Sequence, residues 1–373
     1  MSETGTAPAA SNADFPTQGT NHFRFYFGDE HSATPQQMKR RRMLTGGLLL
    51  PLFMMFVLPL AYIGLFHSPG PNGVHIDVVG NSAAAMQFVQ SSDALNNDDF
   101  VVDRVATVDE GTERLLDLDT RAVYDPTTST LYTAQAGNTQ STIAAERFVT
   151  ALAASTNTTV NVENLVPLPE SDAVGAGVMY VGLGAILAGF LTTAVASLVA
   201  PGVRIRWKVL LLGVMSSIAA GIQVLISYGI TGTLHDNIGG VAGMVFLLAF
   251  TCGIVTLGGF VNFGPVMMLI SLGLYIMLGV PASGVAVGLD LAPSFYQFLH
   301  PLLPTSTALD GLKRIAYFDG SGLGPVLLTM AVWAAIGCAG VVIGHRRRVK
   351  AVTLEPTVAA VEVTDPGSIS ESV

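Results

Sequence analysis

The sequence predicts an α-helical polytopic membrane protein with six transmembrane helices and an inserted extracytoplasmic α/β domain. Of its 373 residues, 50% are hydrophobic and only 12% are charged, and the mean hydropathy of +0.53 is far above that of a soluble globular protein. Long apolar stretches recur along the chain, and one acidic polar region, 67–173, separates the first of them from the others. The predicted organisation is a tail at 1–42, a span at 43–66, the domain at 67–173, a five-helix bundle at 174–344 and a tail at 345–373.

Six stretches are long enough to cross a bilayer, which takes roughly 20 residues of helix. The stretch 237–289 holds 53 residues without Asp, Glu, Lys, Arg or His, too many for one helix, so it predicts two with a turn near Gly258 or Gly264. The first apolar run is too long for a signal peptide and lacks a small-residue cleavage site, which favours an uncleaved anchor. The predicted spans lie at 43–66, 175–200, 209–230, twice within 237–289, and at 323–344.

Basic residues set the predicted orientation, because positively charged loops beside spans stay in the cytoplasm. With the amino terminus inside, twelve of the eighteen Lys and Arg residues face the cytoplasm, most of them in clusters at 39–42, 204–208 and 346–350. The inverted orientation would place all three clusters outside. We therefore expect a multi-pass protein of the cell (plasma) membrane with both termini cytoplasmic and largely disordered polar tails.

The region 67–173 carries fifteen acidic residues against four arginines, which disfavours nucleic acid as a partner. Short β-branched runs alternate with helical ones and predict a small α/β domain with a mixed sheet. Thr107 and Glu110 have the spacing of a capping box, and the polar stretch 156–172 is predicted to be a linker. The predicted strands are 74–79, 100–105, 122–124 and 130–133, and the predicted helices are 82–90, 107–118 and 141–155.

No motif for catalysis, a cofactor or a metal is visible. There is no GxxxxGK[ST] sequence, and the seven histidines show no paired-ligand spacing. Cys252 and Cys338 lie in apolar segments and are predicted to be packing residues. The spans after the first carry no internal Asp, Glu or His, which disfavours proton-coupled exchange. We expect no enzymatic activity, no cofactor and no metal.

Small residues recur at helical spacing within the predicted spans. Such a row forms either a dimer seam or a moving interface, or ordinary close packing within one bundle, and the sequence leaves both open. Arg204 and Arg206, in the short loop 201–208, are candidate contacts for a cytoplasmic partner. The candidate seam residues are Gly213, Ser217, Gly221, Gly340 and Gly344.

The segment 283–320, between the fifth and sixth predicted spans, predicts two short helices that lie at the outer face or re-enter it. Pro293 suits the first turn of a helix. The face predicted for this first helix comprises Phe295, Tyr296, Phe298 and Leu299. The apolar side predicted for the second, amphipathic helix comprises Ala308, Leu309, Leu312 and Ile315.

The stretch 281–313 reads small-Ser-Gly, Pro-x-Phe, Pro-Leu-x-Pro and Thr-x-Thr-Ala-Leu-Asp-Gly-Leu-Lys in order. This order resembles the last-loop signature of bacterial ABC type-2 permeases, especially the YhgE/Pip-like branch. The layout of one span, a large outside domain and five further spans is similar as well, over 43–344. The matching residues are Pro281, Ser283, Gly284, Pro293, Phe295, Pro301, Pro304 and Lys313.

The resemblance implies an exporter or membrane-assembly protein that handles a lipid or another cell-envelope substrate. It also implies membrane lipids, a separate ATPase subunit or an envelope-lipid transporter as partners, and a homodimer. Two features depart from the pattern: a proline expected shortly before Pro293 is missing, and the loop 201–208 is short for a helix that docks on an ATPase. The alternative is a non-transporting scaffold or surface receptor whose bundle anchors the α/β domain.

Overall fold

The computed structural model describes the backbone of residues 35–362 except 68, 96, 97 and 235, and the side chains of 48–347 with the same gaps. The outer parts of both predicted tails, 1–34 and 363–373, lie outside the described residues. The chain divides into two compact parts, Met1–Met55 and Phe56–Val373, and every contact below lies within the second.

The described chain alternates long apolar helices with one α/β region, followed by a series of short helices. The elements are α1 (Pro35–Phe66), β1 (Val74–Val79), α2 (Ala83–Leu95), β2 (Phe100–Val105), α3 (Val108–Leu116), β3 (Ala122–Asp125), β4 (Thr130–Thr133), α4 (Thr139–Ala154), β5 (Asn161–Asn164), α5 (Gly177–Val199), α6 (Ile205–Val224), α7 (Ile238–Phe263), α8 (Met267–Leu272), α9 (Ser294–Leu299), α10 (Pro304–Tyr317) and α11 (Leu323–Glu362).

Five helical stretches among the described residues are long and apolar enough to cross a membrane, and they suggest a multi-pass membrane protein. The sequence predicts six spans, one more than this criterion finds. The difference lies in the fourth stretch, whose 41 residues were expected to form two spans. The five stretches are Leu48–Phe66, Gly177–Val199, Ile205–Ile230, Ile238–Leu278 and Leu323–Arg347.

The fourth stretch reverses direction at one of the two expected positions. Helix α7 ends at Phe263, and Gly264 then adopts a φ of +66°, a conformation that favours glycine. Beyond this turn, the Tyr275 hydroxyl donates to the Cys252 carbonyl at 3.0 Å. Residues on either side of Gly264 therefore lie next to each other, as in a helical hairpin.

The second arm of this hairpin is too short to cross a bilayer by itself. It consists of α8, with six residues, and a six-residue π-helical stretch, Gly273–Leu278. At about 1.5 Å per residue this arm is about 18 Å long, against roughly 30 Å of hydrocarbon. A 3-10 turn at Pro281–Ser283 follows it, because proline cannot continue the helical hydrogen bonding. The arm alone is therefore shorter than the hydrocarbon layer of a bilayer.

Helix α7 forms the centre of the bundle, and glycines let its neighbours approach it closely. A Cβ on Gly189 of α5 would lie 1.8 Å from the Ala249 carbonyl oxygen, and one on Gly258 would lie 2.6 Å from the Gly337 carbonyl oxygen of α11. Backbone contact at this range is the established use of small residues between membrane helices.

The α/β domain, β1 to β5 with α2 to α4, contains a five-stranded mixed sheet in the order β2-β1-β3-β4-β5. Strand β1 pairs in parallel with β2 and β3, β3 pairs antiparallel with β4, and β4 pairs in parallel with β5. The four predicted strands are present. The predicted linker 156–172 is wrong in part, since it contains β5, whose exposed residues lack the hydrophobic alternation of a strand.

The predicted capping box begins α3. The Glu110 amide donates to Thr107 Oγ1 at 3.2 Å, and the Glu110 carboxylate accepts from the amide of Ala106 at 2.8 Å. The reciprocal bond thus reaches one residue further back than in the usual motif.

The long terminal helices extend beyond the predicted spans. Helix α1 begins at Pro35, eight residues before the predicted start at 43, and α11 continues from the predicted end at 344 to Glu362. Both extensions pass through stretches that the sequence predicts to be mostly disordered tail.

Candidate functional site

Helices α9 and α10 form a re-entrant hairpin at the end of the bundle that contacts the α/β domain. The turn between them lies beside α11, where the Leu302 carbonyl accepts from Trp333 Nε1 at 2.8 Å. Trp333 lies ten residues into α11, or about 15 Å along its axis. Helix α10 then returns to the domain, where Arg314 Nη1 donates to the Asp117 carbonyl at 3.0 Å.

The predicted second helix exists as α10. The sequence leaves open whether it lies at the outer face or re-enters it, and in the structure the helix is buried. Nearly all of its residues are buried, on its polar side as well as on its apolar side. Leu309 packs against Gly182 of α5, and Gly311 lies against Val326 of α11. The alternation of polar and apolar residues therefore reflects two kinds of buried neighbour, since the polar side faces charged groups and the apolar side faces the core.

A buried charge cluster lies on the polar side of α10 and continues into the α/β domain. Asp310 is bound on both carboxylate oxygens, by Lys313 Nζ at 3.0 Å and by Arg314 Nε at 2.7 Å. Asp290 is bound likewise, by Arg121 Nε at 2.8 Å and by the Ser141 hydroxyl at 2.6 Å. Three cations thus face two carboxylates, which leaves one positive charge in excess.

The pKa values of this cluster follow from burial and from its ion pairs. Burial alone would raise the pKa of Asp310, but the cations of Lys313 and Arg314 outweigh it and hold that pKa below its usual range. Burial lowers the pKa of Lys313, and the Asp310 carboxylate opposes the shift. The pair is stable as ions because each partner supplies the charge that the other needs.

A cavity of about 450 Å³ opens where the α/β domain meets the bundle. One part of the lining is apolar and comes from the end of α1 and the start of α5. Another part is polar and comes from the start of α4 and the residues just before it, and α10 contributes a cation. The apolar side includes Tyr62, Leu65, Phe66, Val178 and Met179, the polar side includes Gln135, Gly137, Asn138, Thr139 and Gln140, and α10 contributes Lys313 and Tyr317.

The start of α4 is fixed against the re-entrant segment. Asn138 caps α4 by accepting from the amides of Gln140 and Ser141, both at 3.1 Å. Its side-chain nitrogen donates to the Gly284 carbonyl at 3.2 Å. One asparagine therefore both ends the turn before α4 and holds the polar wall of the cavity in place.

The first predicted motif residues form a turn next to this wall. Pro281, Ser283 and Gly284 lie in a buried turn, where the Ser283 hydroxyl donates to the Val280 carbonyl at 2.7 Å. Gly284 has a φ of +72°, which explains why a glycine is needed there. Pro281 lines the cavity directly.

The other motif residues are spread over the hairpin. Pro293 occupies the N-cap of α9, one residue before the first turn where it was predicted, Pro301 lies in the hairpin turn, and Pro304 begins α10. Phe295 and Phe298 are exposed whereas Tyr296 is buried, so the predicted single aromatic face of α9 is wrong. The Tyr296 side chain instead donates to the Ala61 carbonyl of α1 at 2.7 Å. Of the motif residues, only Lys313 and Pro281 reach the cavity.

The predicted seam residues separate into two groups. Gly213 and Gly221 have open space where a Cβ would be, and Ser217 is exposed, so this row packs against nothing in the described chain. Gly340 and Gly344 pack against Gly258 and Val261 of α7, respectively. The second pair therefore makes close contacts within the bundle of a single chain.

Arg204 and Arg206 are exposed at the start of α6, far along the helix from the α/β domain. The guanidinium of Arg206 lies over the Trp207 ring at 5.8 Å. Their accessibility is compatible with contact to a partner.

Sequence reasoning missed Arg121, Asp290, Ser141 and Asn138. Arg121 and Asp290 are 169 residues apart, so only the fold brings them together. Asp310 lies inside the quoted motif, three residues before Lys313. This pair of opposite charges at helical spacing is the signal in the motif that could have indicated the charge cluster. Titratable groups are nevertheless present beside the spans, because the buried helix α10 carries Asp310 and Lys313.

Outside the cavity, Asp77 on β1 is a further buried carboxylate, fully inaccessible to solvent. Burial raises its pKa to about 6, although Arg114 Nη1 lies 3.0 Å from its Oδ1 and lowers it. Within the described residues, no group of three or more His, Cys, Asp or Glu side chains is placed to hold a metal ion.

Comparison of this chain with protein-family models, with curated proteins and with solved structures gives no match.

Proposed function

We propose that this protein is a permease-like membrane protein of ABC type-2 exporter architecture that handles a lipid or other amphiphile of the cell envelope. In this proposal it resides in the cell membrane with both termini cytoplasmic, as the positions of the basic clusters favour. The α/β domain then faces outward and receives or passes on the substrate. A separate ATPase subunit or envelope-lipid transporter supplies the energy, and a second copy packs on the open row of α6.

The observation that carries the proposal is the cavity between the domain and the bundle. Its volume is within the range of small-molecule sites. Because one wall comes from membrane helices and the other from polar residues of the domain, an amphiphile can place its chain and its head on matching surfaces. A wholly polar substrate would leave the apolar side chains of Leu65 and Phe66 without an apolar partner in the site.

The alternative of a scaffold that merely displays its domain is less well supported. The domain is joined to the segment 283–320 by the Arg121–Asp290 ion pair and by the Arg314 bond to Asp117. A displayed module needs only a linker and an anchor, whereas these bonds make the domain part of the bundle's own architecture.

The test is deletion of the gene in its native host, with analysis of envelope lipids and pull-down of the tagged protein from native membranes. We expect an envelope component to change in amount and an ATPase or envelope-lipid transporter to co-purify. Complementation with the wild-type chain should restore the composition. An unchanged envelope together with a protein purified alone would contradict the proposal, and full function of the domain on a foreign single anchor would favour the scaffold.

A further inference from the structure

The cavity has a positively charged floor. Lys313 reaches it from α10, and its side chain is only 8% exposed. A buried ammonium is normally matched by counter-charge, but Lys313 shares its Asp310 partner with Arg314. The local charge is therefore incompletely balanced at the position where a ligand would enter.

A second cation lies behind the polar wall. Arg121 uses Nε to bind Asp290, while its Nη1 is buried and has no hydrogen-bond partner among the described residues. This nitrogen lies 3.8 Å from the position that a Cβ on Gly137 would occupy, and Gly137 lines the cavity. A buried guanidinium nitrogen without an acceptor is costly. Arg121 does not itself line the cavity, so its positive charge favours an anion there through space.

The apolar wall decides which kind of anion fits. Phe66 and Leu65 end one apolar stretch, and Val178 and Met179 begin another. A small inorganic anion would leave this wall uncovered, whereas an acyl chain would cover it and extend between the two helices towards the bilayer. The mouth is formed in part by Val174, a residue that is 76% exposed.

We propose that the cavity binds an anionic membrane amphiphile, with its phosphate or carboxylate head on Lys313 and its chain along the end of α1 and the start of α5. This inference rests on the proposed function and specifies the substrate class of the same site. The occupant comes from the membrane leaflet that adjoins the α/β domain. Asn138, Thr139 and Gln140 then provide polar groups for the rest of the head.

The experiment uses the full-length protein, purified without lipid and presented with phosphatidylglycerol or phosphatidylcholine of identical chains. Binding is measured by native mass spectrometry, and a photoreactive chain locates the lipid by peptide mapping. We expect phosphatidylglycerol to bind about tenfold or more tightly than phosphatidylcholine, as a charge-assisted hydrogen bond implies. Cross-links from the chain should fall on the end of α1 and the start of α5.

Three variants separate charge from shape. Lys313→Gln should abolish the preference for phosphatidylglycerol, whereas Lys313→Arg should keep it. Val174→Trp should block binding of both lipids by filling the mouth, and it keeps the test valid if Lys313→Gln does not fold. Ile230→Trp is the matched control, since Ile230 is 71% exposed at the end of another apolar stretch and does not line this cavity.

Equal binding of the two lipids, blocked by Val174→Trp, would overturn the anionic head while leaving amphiphile handling intact. Inorganic phosphate that binds as tightly as phosphatidylglycerol would overturn the membrane source of the ligand. Absence of any lipid from the cavity would overturn the inference as a whole. An unchanged envelope in the deletion strain would instead count against the proposed function.

Discussion

The ion pair between Arg121 and Asp290 should be the strongest single link between the α/β domain and the re-entrant segment. Asp290→Asn removes the charge that Arg121 Nε contacts at 2.8 Å, and it leaves the guanidinium without a counter-ion in a site where its side chain is 18% exposed. Breaking a buried pair from one side costs about 3–5 kcal/mol. The bond from Ser141 to the carboxylate also loses its charge assistance.

Hydrogen exchange of the full-length protein in detergent measures this loss locally. We expect faster exchange in β3 and in the Leu289–Leu291 turn, equivalent to about 3 kcal/mol or more of local opening free energy. Arg121→Gln should produce a similar change from the other side. Because both variants remove the same interaction, the double variant should be less destabilised than the sum by at least about 1.5 kcal/mol.

Arg147→Gln is the control, because it makes the same substitution on an exposed arginine of the same domain. We expect no change in exchange at β3. If the effects of Arg121→Gln and Asp290→Asn add to within about 0.5 kcal/mol, the two residues do not act as a pair. That result would refute the assignment of this contact as the link between domain and bundle.

Three further predictions follow from packing, burial and topology. Gly189→Leu should lower the thermal stability of the purified protein by more than ordinary overpacking does, which costs about 1–3 kcal/mol, because a Cβ at Gly189 meets the backbone of α7. Gly213→Leu, which has open space at its Cβ, should not lower it. Asp77→Asn should flatten the pH dependence of stability. Folding raises the pKa of Asp77 from 3.8 to about 6, so the wild-type free energy of unfolding should fall by up to about 2–3 kcal/mol as pH rises from about 4 to about 6. Hydrogen exchange in β1, measured at pH 4.5 and 7, should show that fall only in the wild type. Cysteines at exposed Gly202 and Thr127 should react with a membrane-impermeant reagent from opposite sides of the membrane, and labelling from the same side would contradict the orientation.

The features that sequence reasoning predicted best depend on short-range patterns. Strand β1 and the Thr107 cap follow from β-branched runs and from capping spacing, both of which act over a few residues. The ends of the apolar runs likewise locate α5 to within two residues of prediction at its start. Each of these signals is contained in the segment that it describes.

The features that were missed depend on neighbours far away in sequence. Strand β5 owes its conformation to pairing with β4, and its own residues carry no strand pattern. The burial of the polar side of α10 was not predicted, because amphipathicity reports two environments without saying whether one of them is water. The cavity combines residues from α1, α4, α5 and α10, so no window of the sequence contains it.

The buried polar side of α10 explains why the cavity lies where it does. A re-entrant helix must satisfy its polar groups without water, and Asp310 does so for Lys313 and Arg314. Arg314 also ties the helix end to the Asp117 carbonyl, whereas Lys313 has no such second bond to the domain among the described contacts. The charges that allow α10 to be buried in the bundle therefore also leave the Lys313 ammonium facing the cavity. The same need to balance buried charge accounts for the ion pairs of α10 and for the proposed anionic ligand.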